Sequence, residues 1–275
     1  MREQRKQTAQ ETLKIQQQGF YTAPSGKHVD IDASQKRSEG SSRLITPEDG
    51  QRLVKDLKPS DGSLNASYEV INASTVKAII ETASAGESVA ALNFASAKNP
   101  GGGFLNGAMA QEEALATASG LYNTQLLHNA YYETNRANQS MMYTDHAIYS
   151  PDVVFFRDEN NKLLETPVTC SILTLPAVNM GQVKAKGENI NTAKQAMKNR
   201  MRLALAIFAD EDTKTIILGA YGCGVFGNDA NDVAKWWKEL LFDEGYGSYF
   251  KRVLFVILDK PGGENIAAFE RLFGS

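Results

Sequence analysis

Glu112 and Glu113 are adjacent carboxylates at the head of a helix-forming run, Ala114-Leu115-Ala116-Thr117-Ala118. With Gln111 they stand seven residues beyond three consecutive glycines, Gly101, Gly102 and Gly103. Three glycines in a row lose more chain entropy on folding than any other tripeptide, so they mark a loop where a side chain would not fit. Close approach of backbone to a ligand is the usual reason. Two carboxylates just beyond such a loop suggest acid/base chemistry on what it holds. A pair of glutamates is ordinarily an acidic first turn that complements the helix dipole; behind a glycine triplet, chemistry becomes the better reading.

A second glycine loop, Gly222-Cys223-Gly224-Val225-Phe226-Gly227, matches G-x-G-x-x-G. It follows a strand-like run, Thr215–Gly219, precedes a helix near Asn231, and has an acid, Asp243 or Glu244, about 20 residues on, as a dinucleotide fingerprint requires. Its position argues against a dehydrogenase. The fingerprint belongs to the first βα turn, whereas one clear strand follows Gly227. The loop still suits a diphosphate, because glycine amides beside a helix N-terminus point donors at an anion. Alone, the match is more simply a tight turn. Two strand–loop–helix units in one sheet can instead converge on one elongated ligand. Phe226, between glycines, is placed to face it, while Cys223 has no accompanying base and reads as a small loop residue. Asn93 and Asn99 are turn formers, of which Asn99 is the better ligand contact. The P-loop pattern is absent, which disfavours nucleoside triphosphate hydrolysis.

The elements that must position these groups alternate. Strands are predicted at 68–72, 88–94, 168–175, 215–219 and 253–258, with helices over 74–83, from 111, and over 189–208, 231–241 and 265–273. Residues 153–156 and 162–165 read as a hairpin. This grammar predicts an α/β domain with a largely parallel sheet. Before it, residues 2–18 form a mostly exposed helix stopped by Gly19, residues 20–23 and 28–31 a hairpin, 33–45 a polar stretch, and 46–57 a helix with Thr46 as N-cap and Pro47 first. A Ser/Asp/Gly/Asn loop then spans 60–67. The expected organisation is an accessory region over 1–65, packed on a catalytic domain over 66–275. Residues 120–150 are rich in tyrosine and asparagine and give no clear element.

The 275 residues suffice for a substantial core, with 42% hydrophobic and 22% charged residues. A net charge of −3 gives no reason to expect general nucleic-acid binding. Neither a membrane span nor a signal peptide is seen. Cys170 and Cys223, with His28, His128 and His146, are too scattered for a zinc site or a disulfide framework. We expect a cytoplasmic monomer that uses no metal and no cofactor.

Gly101–Gly103, the seven-residue spacer and Gln111-Glu112-Glu113 resemble the signature of poly(ADP-ribose) glycohydrolases, which are macrodomains, and the surrounding sequence is similar to the microbial type. Val70-Ile71-Asn72-Ala73-Ser74-Thr75, Asn93-Phe94-Ala95-Ser96 and Gly219–Asn228 support it, so that the likeness spans about residues 66–260. The resemblance implies a macrodomain-like three-layer α/β/α fold with a mixed, largely parallel sheet. It implies ADP-ribose polymers or ADP-ribosylated macromolecules as substrate, and release of ADP-ribose by cleavage of ribose–ribose bonds. Glu113 would be the catalytic acid/base and Glu112 would hold a ribose hydroxyl on the leaving side. Asn99 and the loop Gly101, Gly102, Gly103 would wrap the distal ribose, with Asn93 and Gln111 also at the substrate. Gly222, Cys223, Gly224, Val225 and Gly227 would cradle the diphosphate, and Phe226 would pack on the distal ribose. From sheet topology, apart from the resemblance, we expect Ser74, Thr75 and the segment 259–265 to border the adenine pocket.

Many glycosidases place two carboxylates on opposite sides of the sugar. Neighbours on a helix diverge by about 100° and cannot form that opposed pair. Glu113 is therefore expected to act twice, first protonating the leaving oxygen and then activating water. Two other functions fit the same residues: removal of single ADP-ribose units from protein or nucleic acid, and non-catalytic ADP-ribose binding. An intact Glu113 argues against the second.

Overall fold

The structure is a computed structural model that describes residues 1–59 and 66–274. The chain opens with helix α1 (Arg2–Gln18), which stops at Gly19, then a hairpin of β1 (Phe20–Thr22) and β2 (His28–Asp30). Residues 33–45, given no element from sequence, form α2 (Asp32–Ser41) and the strand β3 (Arg43–Ile45). Helix α3 (Pro47–Asp56) starts at a reciprocal cap: the Thr46 hydroxyl accepts from the Asp49 N–H at 3.2 Å, and the Asp49 carboxylate accepts from the Thr46 N–H. Most of the expected loop over 60–67, and the expected domain division at 65, fall on residues 60–65, outside the described residues.

The alternating part follows as β4 (Ser67–Ile71), α4 (Thr75–Ser84), β5 (Val89–Phe94) and α5 (Gln111–Ala118). The tyrosine-rich stretch folds into two short helices, α6 (Leu121–Leu126) and α7 (Asn129–Ala137). The hairpin is longer than expected: β6 (Ala147–Arg157) pairs with β7 (Leu163–Leu175), which joins the two runs predicted at 162–165 and 168–175 into one strand. Then come α8 (Met180–Ala185), α9 (Ile190–Asp210), β8 (Thr215–Leu218), α10 (Ala230–Lys238), β9 (Arg252–Val256) and α11 (Glu264–Phe273).

Seven strands form one sheet in the order β3-β6-β7-β5-β8-β9-β4. The neighbours from β7 to β4 are parallel, and β6 runs against them, antiparallel to both β7 and β3. Side chains alternate across it with the strand period of two. Ala90 and Leu92 of β5, Ile216 and Leu218 of β8, and Val253 and Phe255 of β9 join the core beneath α9, α10 and α11. Val89, Ala91, Ile217, Leu254 and Val256 point the other way, to α4 and α5. The result is three layers, α/β/α.

Residues before 60 are woven into this body. β3 is its edge strand, and Leu53 and Val54 of α3 pack on the core beneath α9. α1 is less exposed than its composition suggests. Ala9, Thr12, Ile15 and Gln16 are buried; Ala9 packs with Phe104 and Ala116, and Thr12 donates to the Thr117 carbonyl at 2.8 Å. No helix among the described residues is long and apolar enough to cross a membrane.

Candidate active site

The strands β4, β5, β8 and β9 run parallel, so their carboxyl ends lie on one edge, where open α/β sheets place ligands. The first glycine loop leaves β5 and the second leaves β8, the strand beside it. The two loops expected to share a ligand are therefore neighbours.

α5 is locked to β5 by Gln111. Its Oε1 accepts from the Phe94 N–H at 2.8 Å, and its Nε2 donates to the Leu92 carbonyl at 2.8 Å. Gln111 thus serves as a splint between strand and helix. Asn93 is fully enclosed, and its Nδ2 donates to Glu112 Oε1 at 3.2 Å and to Thr174 Oγ1 at 3.1 Å. It reaches the carboxylate and not the open cleft.

Glu112 is only 3% exposed. Its Oε1 also accepts from Gln125 Nε2 at 2.9 Å, and its Oε2 from the Ser96 N–H at 2.6 Å. These donors favour the charged carboxylate, but burial outweighs them and pushes the group up to about 8. Glu113, one residue on, lines the cleft, where its Oε1 accepts from the Gly103 N–H at 2.8 Å. Gly102 lies between the two acids. Its backbone is left-handed (φ 59°), and a Cβ there would collide with Glu113 Oε1 and come within 3.0 Å of Glu112 Oε2. Asn99 is exposed, accepts from the Gly102 N–H at 3.0 Å and donates its own N–H to Ser96 Oγ at 3.1 Å. Its side-chain amide makes no hydrogen bond to another described residue.

In the second loop Gly222 is also left-handed (φ 72°), and a Cβ would press to 2.6 Å from Asn228 Nδ2. Asn228 staples the loop by donating to the carbonyls of Val178 (2.8 Å) and Gly222 (3.0 Å). Gly224 has open space around it and lines the cleft, Gly227 is exposed, and Val225 is 91% exposed. The half-buried Phe226 ring lies 6.1 Å from Tyr143. The Cys223 thiol is pushed up to about 12 by burial, which removes it as a nucleophile near neutral pH.

The cleft has a volume of about 440 Å³ and takes in Glu113, Phe94 and Gly224, with Ser74, Thr75 and Asn265 toward the β4–β9 side. Among the described residues no group of three or more His, Cys, Asp or Glu side chains is placed to hold a metal ion.

Gln125 escapes the sequence reading. Fully buried on α6, it accepts the Gly101 N–H at 2.8 Å with Oε1 while its Nε2 holds Glu112, so one side chain ties loop to carboxylate. The available signal was a polar residue on the apolar face of a short helix, beside Leu121 and Thr124. Arg200 also escapes. Buried in α9, it donates to Asp145 Oδ1 (2.9 Å) and to the carbonyls of Met142 (2.8 Å) and Pro176 (2.9 Å), bracing the segment that carries Tyr143 toward Phe226.

A mixed sheet between helix layers, with two glycine loops and a cleft-facing carboxylate at its carboxyl edge, defines a macrodomain-like protein. The model of the microbial-type poly(ADP-ribose) glycohydrolase catalytic domain matches residues 9–158. The match takes in most of the N-terminal region and residues 120–150, which carry no motif recognisable by eye. The structure is similar to poly(ADP-ribose) glycohydrolase from Thermomonospora curvata, with 39% identity and a TM-score of 0.93, covering 98% of this chain and 100% of that one. The same enzyme bound to the inhibitor ADP-HPD gives 38% identity and a TM-score of 0.91, covering 98% and 99%. Poly(ADP-ribose) glycohydrolase from Deinococcus radiodurans in complex with ADP-ribose gives 41% and 0.81, covering 86% of this chain and 96% of that one. None of the curated proteins matches. The chain belongs to the microbial-type poly(ADP-ribose) glycohydrolases, a family of glycosidases.

Proposed function

We propose that this protein hydrolyses the ribose–ribose O-glycosidic bonds of poly(ADP-ribose) and releases ADP-ribose, with Glu113 as the single acid/base. The observation that carries the assignment is the contrast between the two acids. Glu113 opens on the cleft with one oxygen fixed by the Gly103 N–H, whereas Glu112 is enclosed by donors. Glu113 gives its proton to the leaving oxygen as the C1–O bond breaks. The ribose is left as an oxocarbenium-like centre. Water then adds at C1 and returns a proton to the Glu113 carboxylate, which restores the acid.

Glu112 positions the sugar. Oε1 already accepts from Asn93 and Gln125, and Oε2 has spent one of its two lone pairs on Ser96, so the remaining Oε2 position, on the Gly102 side, is the one assigned to a hydrogen bond with a ribose hydroxyl. The exposed Asn99 side chain is assigned to a hydroxyl of the distal ribose. Gly222–Gly227 is assigned to the diphosphate, Phe226 to the face of the distal ribose, and the Ser74–Thr75 end with Asn265 to the adenine. Asn93 and Gln111 are assigned to positioning, through Glu112 and β5.

The test is to incubate the protein with poly(ADP-ribose) and with mono-ADP-ribosylated protein in parallel. ADP-ribose should appear from the polymer while the last unit stays on the protein. Glu113→Gln should lose about 10²-fold or more in rate and still bind ADP-ribose. Near wild-type release by that variant would sink the assignment. Release from the mono-modified protein would point to a mono-ADP-ribosyl hydrolase, and binding without release to a reader.

A further inference from the structure

The cleft does not stop at Glu113. It continues along the outer face of α5 through Ala114 and Thr117, one helical turn on, into a groove walled by Arg5 and Thr8 of α1 and by the hairpin tip 158–161. None of the ADP-ribose contacts assigned above uses this groove. Taking the poly(ADP-ribose) reading as its basis, we infer that it is an acceptor-side subsite, which holds the ADP-ribose unit on the leaving side of the scissile bond, with Arg5 on that unit's diphosphate.

The argument begins with direction. The acid that protonates the leaving oxygen must face the leaving unit, and the cleft past Glu113, away from the adenine end, is this groove. Its chemistry suits a nucleoside diphosphate. Arg5 Nε donates to the Gly107 carbonyl at 2.8 Å, which fixes the side chain, and its Nη atoms have no hydrogen-bond or ion-pair partner among the described residues. A held guanidinium with free ends is the donor best matched to phosphate.

The opposite wall carries two acids. Asp158 is committed to its own turn, accepting the N–H groups of Asn160 (2.9 Å) and Lys162 (2.8 Å). Glu159 has no ion-pair partner among the described residues and can accept ribose hydroxyls. A guanidinium on one wall and a carboxylate on the other match a unit that carries both a diphosphate and ribose hydroxyls.

The test compares wild type with Arg5→Gln, which keeps an amide donor near Gly107 but removes the charge, and with the charge reversal Arg5→Glu. Polymer hydrolysis is measured at several salt concentrations, ADP-ribose binding by calorimetry, and folding by thermal melting. Arg5→Gln should raise KM for the polymer about tenfold at low salt, the loss of a hydrogen bond to a charged group, with kcat nearly unchanged. The gap should close as salt rises. Affinity for ADP-ribose, which fills only the other side of Glu113, should stay within about twofold, a difference under 0.5 kcal/mol. Arg5→Glu should be worse again. An unchanged polymer KM in both variants would overturn the inference. So would an equal loss of ADP-ribose affinity, because Arg5 would then act by propping the glycine loop. Failure of the wild type to cleave polymer would instead overturn the glycohydrolase reading itself.

Discussion

Glu112 and Glu113 share a peptide bond but not a medium. The first is sealed among Asn93, Ser96 and Gln125, the second opens on the cleft, and Gly102 fits between them. Gln125 serves both the loop and the buried acid and also reaches Thr174 Oγ1 at 3.4 Å, so replacing it with methionine keeps the volume and removes three hydrogen bonds at once. A buried group left without its partner costs about 1–3 kcal/mol. Gln125→Met should therefore lower kcat/KM about tenfold or more, with cooperative melting retained, measured by ADP-ribose release and calorimetry. That the two acids face different ways was legible from their adjacency on a helix. Gln125 was not, because nothing near it in sequence says that α6 folds back onto the glycine loop. The resemblance put Asn93 and Gln111 at the substrate, and the fold shows that one faces Glu112 and the other the backbone of β5.

Among the elements, the two glycine loops are rigid for different reasons. The second is stapled from beside by Asn228. The first is held from three sides: by α6 through Gly101, by α5 through Gly103, and by α1 through the carbonyls of Asn106 and Gly107. Gly102→Ala places a Cβ against both carboxylates on a backbone that disfavours it. A shift of about 1 Å in a positioning element can cost about 10²-fold in rate. Gly102→Ala should thus lose activity on that scale while melting within a few degrees of wild type. The Gly triplet and the acid pair fixed the place of the site in the sequence. The role of α1 was hidden, because its buried residues Thr12 and Gln16 are polar and make an apolar stripe look weak.

For the molecule as a whole, the parallel half of the sheet was readable from alternating periodicity. The antiparallel half was not: β3 has three residues in a polar stretch, and β7 runs through Thr166-Pro167, which reads as a break. Global stability should carry the signature of Glu112. Its ordinary value is 4.5 and burial lifts it to about 8, so the folded protein holds a proton that the unfolded chain releases. The contribution is fully present below about 4.5 and is lost as pH rises through about 8. Between these limits wild type should lose stability relative to Glu112→Gln, by at most about 1.4 kcal/mol per pH unit. Denaturant titrations of both proteins across that range check it; parallel curves would place the proton elsewhere.

The bonds from Arg2, Arg5, Thr12 and Gln16 to the glycine loop and α5 each join residues more than a hundred positions apart. Contacts of such long range close large loops and form late in folding. During synthesis α1 emerges before the segment it braces. The glycine loop therefore gains its last backbone ties only when the first helix meets a segment made much later.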